Sequence, residues 1–567
     1  MTYPANGVEP QPRLFRNDHG SLTVPRVGEW EPAMSVSVVI PALGGQDKLD
    51  LVLAALSEQT YPANLLEAIV VDDGSEPPLT LPEHRPERTR IIRTPDGQWG
   101  ISGAVNTGIE AAEGDIILRV DSDTLLSRVH VESHARWHHQ ADYLMVLATI
   151  FYVTDPEVAR LTPADVVAAN AAGKLGQRFA NCRVEENWGA ERIRSSDWLT
   201  QLDARAYSVA NGPSVSFRKA FWKEVGGLRE DLLLGEDTEL GYRFAQYGGV
   251  IVPDRGATAW HLGATTAMTR PLDADRARMP GLANAIPLHR HLRKSPGHIW
   301  EIPLVEVMVD ADGASHEEVC ATVDSLLADR DADLAVTVTG PWTIANSGRY
   351  PALDDPDADA RLPQRYFAGD PRVSFTGPVG GRFPTAPFRL TFRAGIKTVP
   401  GAVTQLVELA ETRQVGLVEI VITGGEDEFQ VALERTAALS RARRLRRPDE
   451  SILDAVDAMW GIWFASGDDW FQMPGAPDVA DRKAAQAVSE VERLRLRLAA
   501  AEREIARQRE RAEKWKEKSQ NLQKMVTQWK ELAETWRGRV RSSGRYPFLR
   551  GPVRRVAKRV RAKLRTI

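Results

Sequence analysis

The chain has 567 residues, 43% hydrophobic and 26% charged, with a formal net charge of −5. These values exclude wholesale disorder and anticipate several domains. No apolar run reaches the roughly 18 residues of a spanning helix, no secretory pattern opens the chain, and Cys182 and Cys320 are too few for a disulfide framework or a zinc cluster, so a cytoplasmic location is expected.

Residues 1–33 are Pro-rich and read as irregular. From residue 34 the pattern changes. Residues 35–41 form a β-branched run, 47–59 carry Leu49, Leu53 and Leu56 at helical spacing, and 66–71 form a second apolar strand ending at Asp72-Asp73-Gly74-Ser75. A strand at 90–93, a helix at 102–112 and a strand at 115–120 follow, the last ending at Asp121-Ser122-Asp123. Strand, helix and strand in short succession imply parallel βαβ units, whose ligands sit beyond the carboxyl ends of the strands. Both acidic turns lie at such ends. Further on, 143–153 read as a strand, 156–174 as helical, 207–217 as extended, 219–225 and 237–247 as helices, and 250–253 as a strand. Residues 264–300 read as a linker with Pro and basic residues.

Residues 34–295 thus read as one α/β domain and 296–475 as a second, smaller one. In the second, 304–309, 317–327 and 334–339 repeat the strand, helix, strand order. Residues 388–394 followed by Gly395-Ile396-Lys397 look like a worn copy of 116–123, with Gly395 and Lys397 in place of Asp121 and Asp123. Residues 480–537 read as a coiled coil: from Val491, Leu494, Leu498 and Ala501 to Trp529, Ala533 and Trp536, a mostly apolar seam runs at alternating three and four spacing. Self-association through 484–536 is expected. Residues 537–567 hold 12 of the 72 basic residues and no acidic one, leaving 60 basic against 77 acidic residues, net −17, in the rest. In the tail, 538–567, Val553, Val556, Val560 and Leu564 share one helical face among Arg and Lys, which suits an anionic membrane surface. The acidic body offers no footprint for nucleic acid.

Four groups of residues carry candidate chemistry. Asp121 and Asp123, two apart after a buried strand, suit a hydroxyl contact and a divalent cation; strand-end turns also favour Asp for purely local reasons. Asp73 lies on a turn at the same sheet edge and suits a nucleobase N–H. Gly235-Glu236-Asp237 opens a helix burying Leu240, Phe244 and Tyr247, with Glu239 and Arg243 an i, i+4 pair. Asp237 there reads either as a helix cap or as a general base. His261, after a strand, suits closing a metal shell with Asp123.

Together these strings resemble glycosyltransferase family 2, the inverting enzymes with a GT-A nucleotide-diphospho-sugar fold. The resemblance rests on SVVIP at 37–41, LAALSEQTYP at 53–62, VVDDGS at 70–75 and NTGIEAAEGDIILRVDSD at 106–123. NGPSVSFRKAFWKEVGGL at 211–228 and the following GEDTELGYR resemble the galactosyltransferase-type half of such catalytic domains. The resemblance implies a GT-A domain with a mostly parallel mixed sheet, and makes the second α/β domain a possible degenerate GT-A-like lobe. It implies that Pro41, Asp73, Asp121, Asn211 and Gly212 line the nucleotide-sugar site. It also implies that Asp123, His261 and Asp121 hold Mn²⁺ or Mg²⁺, and that Asp237 is the base with Glu236 beside it. The implied reaction moves a sugar from a nucleotide-diphospho-sugar, a UDP-sugar, to a glycan or to a lipid-linked or cell-surface polymer. Gly44-Gly45 and Val105 depart from the family pattern where an Asn and basic residues are common, which puts its diphosphate contacts in question. A catalytically inactive scaffold working through the coiled coil is the alternative of another class, and a nucleotidyltransferase a third.

Overall fold

The computed structural model describes residues 11–155, 161–186, 189–295, 297–330, 332–342, 353–377, 381–424 and 427–473. The expected coiled coil, the basic tail and part of the helical stretch 156–174 lie outside them. The described residues belong to one compact unit.

The first lobe is built on nine strands: β1 (Val36–Ala42), β2 (Leu66–Asp72), β3 (Thr89–Arg93), β4 (Ile116–Val120), β5 (Thr124–Leu126), β6 (Leu144–Val153), β7 (Val184–Glu186), β8 (Ser214–Arg218) and β9 (Val250–Leu262). They form one sheet in the order β3-β2-β1-β4-β8-β6-β9-β5, with β7 on β6. β3, β2, β1 and β4 run parallel. β8 is antiparallel to β4 and β6, β9 is parallel to β6, and β5 is antiparallel to β9. The helices are α1 (Gln46–Ser57), α2 (Ile101–Ala111), α3 (His130–His138), α4 (Pro163–Ala171), α5 (Ala190–Ser195), α6 (Lys219–Val225) and α7 (Glu236–Gln246).

β1 and β2 are buried along their whole length, as central parallel strands must be when both faces are covered. Alternate residues serve opposite cores: Val36, Val38 and Ile40 pack with Leu49, Leu53 and Leu56 of α1, while Val39 joins Ile109 of α2 on the other face. β9 runs on to Leu262, well past the expected end at 253. A register shift opposite Leu147 and Thr149 lets it bend and continue, and this carries His261 to the site.

The stretch 264–300 is a linker only in part. It contains α8 (Thr266–Thr269) and α9 (Pro271–Ala285), the latter with Pro at its first position and Pro280 inside it. Interior Pro normally breaks a helix, which hides α9 in the sequence.

The second lobe holds β10 (Val305–Asp310), β11 (Leu334–Thr339), β12 (Val373–Thr376), β13 (Phe388–Arg393), β14 (Lys397–Thr398), β15 (Leu417–Gly424), β16 (Asp427–Arg435), β17 (Ile462–Ser466) and β18 (Phe471–Gln472). Its main sheet runs β12-β11-β10-β13-β16-β15-β17. Chain order and direction repeat those of the first sheet. β10 to β13 are parallel, β16 is antiparallel to β13 and β15, and β17 is parallel to β15. α10 (His316–Leu327) follows the first strand as α1 does. α11 (Ala358–Tyr366) precedes β12 and α12 (Ala402–Arg413) precedes β15. α13 (Thr436–Leu445) and α14 (Ile452–Met459) follow β16 as α6 and α7 follow β8. Even the short β14–β18 pair occupies the place of β5 on the end of β9.

Strand registers align Ile116 with Phe388, since both face the first residue of their lobe's first strand and both face an Arg on the antiparallel neighbour. Asp121 then corresponds to Arg393 and Asp123 to Gly395, two residues earlier than the expected Gly395 and Lys397.

The two lobes share one apolar core. Leu439, Ala442, Val456, Met459 and Trp460 of the second lobe pack in the cluster that holds Phe221, Leu240 and Phe244 of the first. Arg441 of α13 is buried at this seam. It donates to Gly248 O at 2.7 Å and Gly249 O at 2.9 Å, and to the carbonyls of Leu14 and Arg16. Burial lowers its pKa to about 10.

Candidate active site

The carboxyl ends of β1, β2 and β4, the end of β9 and the start of α7 meet at one edge of the first sheet. β5 pairs with β9 so that Thr124 faces His261, and this register brings Asp123 to the imidazole. Asp123 Oδ1 lies 3.1 Å from His261 Nε2. The other ring nitrogen, Nδ1, is 3.0 Å from Gly263 O, which fixes the ring. Lys48, in the first turn of α1, donates to Asp123 Oδ2 at 3.1 Å and to Leu262 O at 2.7 Å. Its approach depends on the turn after β1, where Gly44 and Gly45 both take φ of 66°, a left-handed conformation that residues with a β-carbon rarely adopt.

A second cluster surrounds Arg119. This residue sits on β4, two before Asp121, and its side chain is buried. Its guanidinium lies 3.3 Å from Asp121 Oδ1 and 3.8 Å from Glu236 Oε1. Burial works against its charge, yet Asp121, Glu236 and Asp237 together hold its pKa above the normal value. A β-carbon on Gly212 would overlap that guanidinium, so any other residue there must push Arg119 aside. Gly212 N donates to Asp237 Oδ2 at 2.9 Å, and Thr238 N donates to Asp237 Oδ1 at 2.6 Å. The pKa of Asp237 is raised, by burial first, against the pull of Arg119. That of Glu236 is pushed up to about 7 by burial and then by the charge of Asp237. Asp237 remains partly exposed and lines a small cavity with Arg119, Asn211, Met145 and Trp222.

The third part is the β2 turn. Asp72 Oδ1 accepts from Ser75 N at 2.7 Å; burial would raise its pKa, but the Ser75 hydrogen bonds win and lower it. Asp72 therefore shapes the turn. Asp73 Oδ2 accepts from Gly100 N at 2.7 Å, while its Oδ1 is buried and has no partner among the described residues. Pro41 is buried near the end of β1, paired with Val71. Asn211 is buried, with Oδ1 also unpartnered.

The structure thus brings Asp123 to His261, and gathers Asp121, Gly212, Glu236 and Asp237 around Arg119. Asp121 is turned to Arg119, and among the described residues no group of three His, Cys, Asp or Glu side chains could hold a metal. The expected third ligand is therefore not in place. The two that remain, a carboxylate and an imidazole, suit a divalent cation that takes its other ligands from diphosphate oxygens and water. The expected Glu239–Arg243 pair is present, at 2.6 Å.

Sequence reasoning missed Arg119 and Lys48. It also missed the histidines of α3. His130 Nε2 lies 2.8 Å from Ser214 Oγ, and His134 Nδ1 and His138 Nε2 lie 2.8 and 2.7 Å from Ser216 Oγ, which fastens α3 to the strand that follows Gly212. Their spacing of four along the helix was the available signal.

This is an α/β domain with carboxylates and an imidazole gathered where parallel strands end. Residues 37–201 match the family model described as glycosyl transferase family 2. The matched stretch includes Asp73, Asp121 and Asp123 and ends before Asn211, Asp237 and His261. A probable glycosyltransferase, YdaM of Bacillus subtilis, is 28% identical over 235 residues, covering 39% of this chain and 50% of that protein. The poly(ribitol-phosphate) beta-N-acetylglucosaminyltransferase TarS of Staphylococcus aureus is 25% identical over 205 residues, covering 33% and 35%. The chain thus spans half or less of the length of these curated relatives. A solved structure, S. aureus TarS 1–349 in complex with UDP-GlcNAc, is 17% identical with a TM-score of 0.31, covering 46% of this chain and 69% of that one.

Proposed function

We propose that the first lobe is an inverting glycosyltransferase that moves a sugar from a nucleotide-diphospho-sugar, a UDP-sugar, to a hydroxyl of a glycan or of a lipid-linked or cell-surface polymer. The observation that carries this reading is the 3.1 Å approach of Asp123 to His261 at the sheet edge shared with Asp73 and Asp237.

Asp73, with a buried and unpartnered carboxylate oxygen, accepts from the imide N–H of a uracil. Asn211 and Gly212 shape the sugar pocket. Asp237 takes the proton of the acceptor hydroxyl; its raised pKa makes it a stronger base than an exposed carboxylate. The acceptor oxygen bonds to the anomeric carbon as the carbon–oxygen bond to the diphosphate breaks on the opposite face, so the configuration inverts and nucleoside diphosphate leaves. Arg119 offsets the clustered charge of Asp121, Glu236 and Asp237 without touching the acceptor proton. A divalent cation, Mn²⁺ or Mg²⁺, held by Asp123 and His261, would neutralise charge on the departing diphosphate when bound.

The second lobe is, in this reading, a degenerate copy of the first. Arg393 and Gly395 stand at the positions of Asp121 and Asp123, and the same register puts Met473 at that of His261; none supplies the oxygen or imidazole ligand that a hard divalent cation takes. Residues 484–536 assemble the protein into oligomers, and 538–567 contact anionic membrane. Removing 480–567 should leave a smaller oligomer by light scattering, and removing 538–567 should weaken binding to anionic vesicles; unchanged values reject the respective assignment.

The function is tested by mixing the protein with UDP-sugars, with and without Mn²⁺. Metal-dependent release of UDP supports it, absence of turnover supports an inactive scaffold, and pyrophosphate exchange supports a nucleotidyltransferase.

A further inference from the structure

Lys48 stands apart from the residues that the family pattern supplies. Its ammonium is 3.1 Å from Asp123 Oδ2, while Oδ1 of the same carboxylate faces His261 Nε2 at 3.1 Å. It is also fastened to Leu262 O, one residue from that histidine. A positive charge thus already sits on the carboxylate that the proposed function assigns to a cation. The Lys48 side chain is 41% exposed and carries a flexible four-carbon stem, so leaving Asp123 exposes no buried charge.

We propose that Lys48 is a built-in counter-ion for Asp123: a positioning residue that holds the carboxylate while no divalent cation is bound and is displaced when one enters. The inference rests on the reading of Asp123 and His261 as cation ligands. An ammonium and a divalent cation cannot both sit on one carboxylate without strong repulsion, so each lowers the occupancy of the other. Apparent cation affinity is then reduced by the fraction of molecules in which Asp123 is free. Displacement also frees Lys48 from Leu262 O, so cation entry loosens the link between the first turn of α1 and the end of β9. Gly44 and Gly45, with their left-handed backbone, give that turn its particular course.

The test is Mn²⁺ affinity of the full chain, read by electron paramagnetic resonance of the free ion, without a sugar acceptor. The wild type is compared with Lys48→Met, Lys48→Gln, Lys48→Arg and Asp123→Asn, each checked for an unchanged melting transition in chelator. Lys48→Met and Lys48→Gln should bind Mn²⁺ about tenfold more tightly if Lys48 holds Asp123 in some nine molecules of ten, and Lys48→Arg should stay near the wild type because it keeps the charge. Equal or weaker binding by Lys48→Met and Lys48→Gln overturns the proposal while leaving the cation reading intact. Mn²⁺ binding that survives in Asp123→Asn, or no binding by any of the proteins even with UDP, overturns the cation reading and the role of Lys48 with it.

Discussion

Gly212 N donates to Asp237 Oδ2 at 2.9 Å, so a residue just before β8 also orients the carboxylate in the first turn of α7. With Thr238 N donating to Oδ1, both oxygens of Asp237 are held by backbone donors, and the proposed base is tied to the strand beside β4. Asp237→Asn keeps the size but removes the basic oxygen and sets an amide NH₂ against one of these donors. Turnover should fall by roughly 10²–10⁴-fold with donor affinity little changed, measured by UDP release and by UDP titration.

Gly212→Ala should be damaging for a different reason. Its β-carbon would overlap the Arg119 guanidinium, which is confined by Asp121 and Glu236. Overpacking of this kind costs ~1–3 kcal/mol. We expect a lower denaturation midpoint and a shifted pH profile, because a displaced Arg119 offsets the charge of Asp237 less well.

The pH dependences of activity and stability should separate. Burial raises the pKa of both Glu236 and Asp237, that of Glu236 to about 7, so activity should be lost as pH falls below neutrality and the pair takes up a proton. A raised acid favours the fold when protonated, so this pair adds stability at low pH and loses it as pH rises through about 7. The buried histidines have the opposite sign. His130 and His138 are lowered from 6.5 to about 4 and about 3 by burial, and His134 is lowered as well. A lowered histidine contributes stability that is whole above 6.5 and is lost as pH falls toward its folded value. Three such groups should outweigh one acid pair, giving net destabilisation below pH 6.5 in denaturant titrations. Glu236→Gln should leave that acid destabilisation in place while changing the activity profile.

Arg441→Leu should loosen the seam between the lobes. The buried guanidinium serves carbonyls of the N-terminal segment and of the turn before β9, and its loss strands them. Hydrogen bonds to a charged group are worth ~1.5–3 kcal/mol each, so a loss of ~3 kcal/mol or more is expected in urea unfolding.

Much of the site was legible because its carboxylates end buried strands. Asp73, Asp121 and Asp123 each follow an apolar run whose direction fixes the edge at which they emerge. Arg119 was not legible, since a basic residue inside such a run has no visible partner until Glu236 and Asp237 are folded against it. Lys48 was hidden in the same way: its partners, Asp123 and Leu262, are remote in sequence. The repeat of the first lobe in the second was partly visible at 388–394, but the register had to come from strand pairing because the marker carboxylates are gone. α9 was lost to the rule that Pro breaks helices, which its packing through Leu282 and Ala285 overrides.

If Asp123 and His261 share one cation that grips a nucleotide-sugar, crystals grown with Mn²⁺ and UDP and measured at the manganese absorption edge will show it. One anomalous peak is expected beside both Asp123 and His261 and next to the diphosphate, with Lys48 withdrawn from the carboxylate. Bound UDP with manganese elsewhere, or with Asp123 still paired to Lys48 and no peak beside His261, would contradict it.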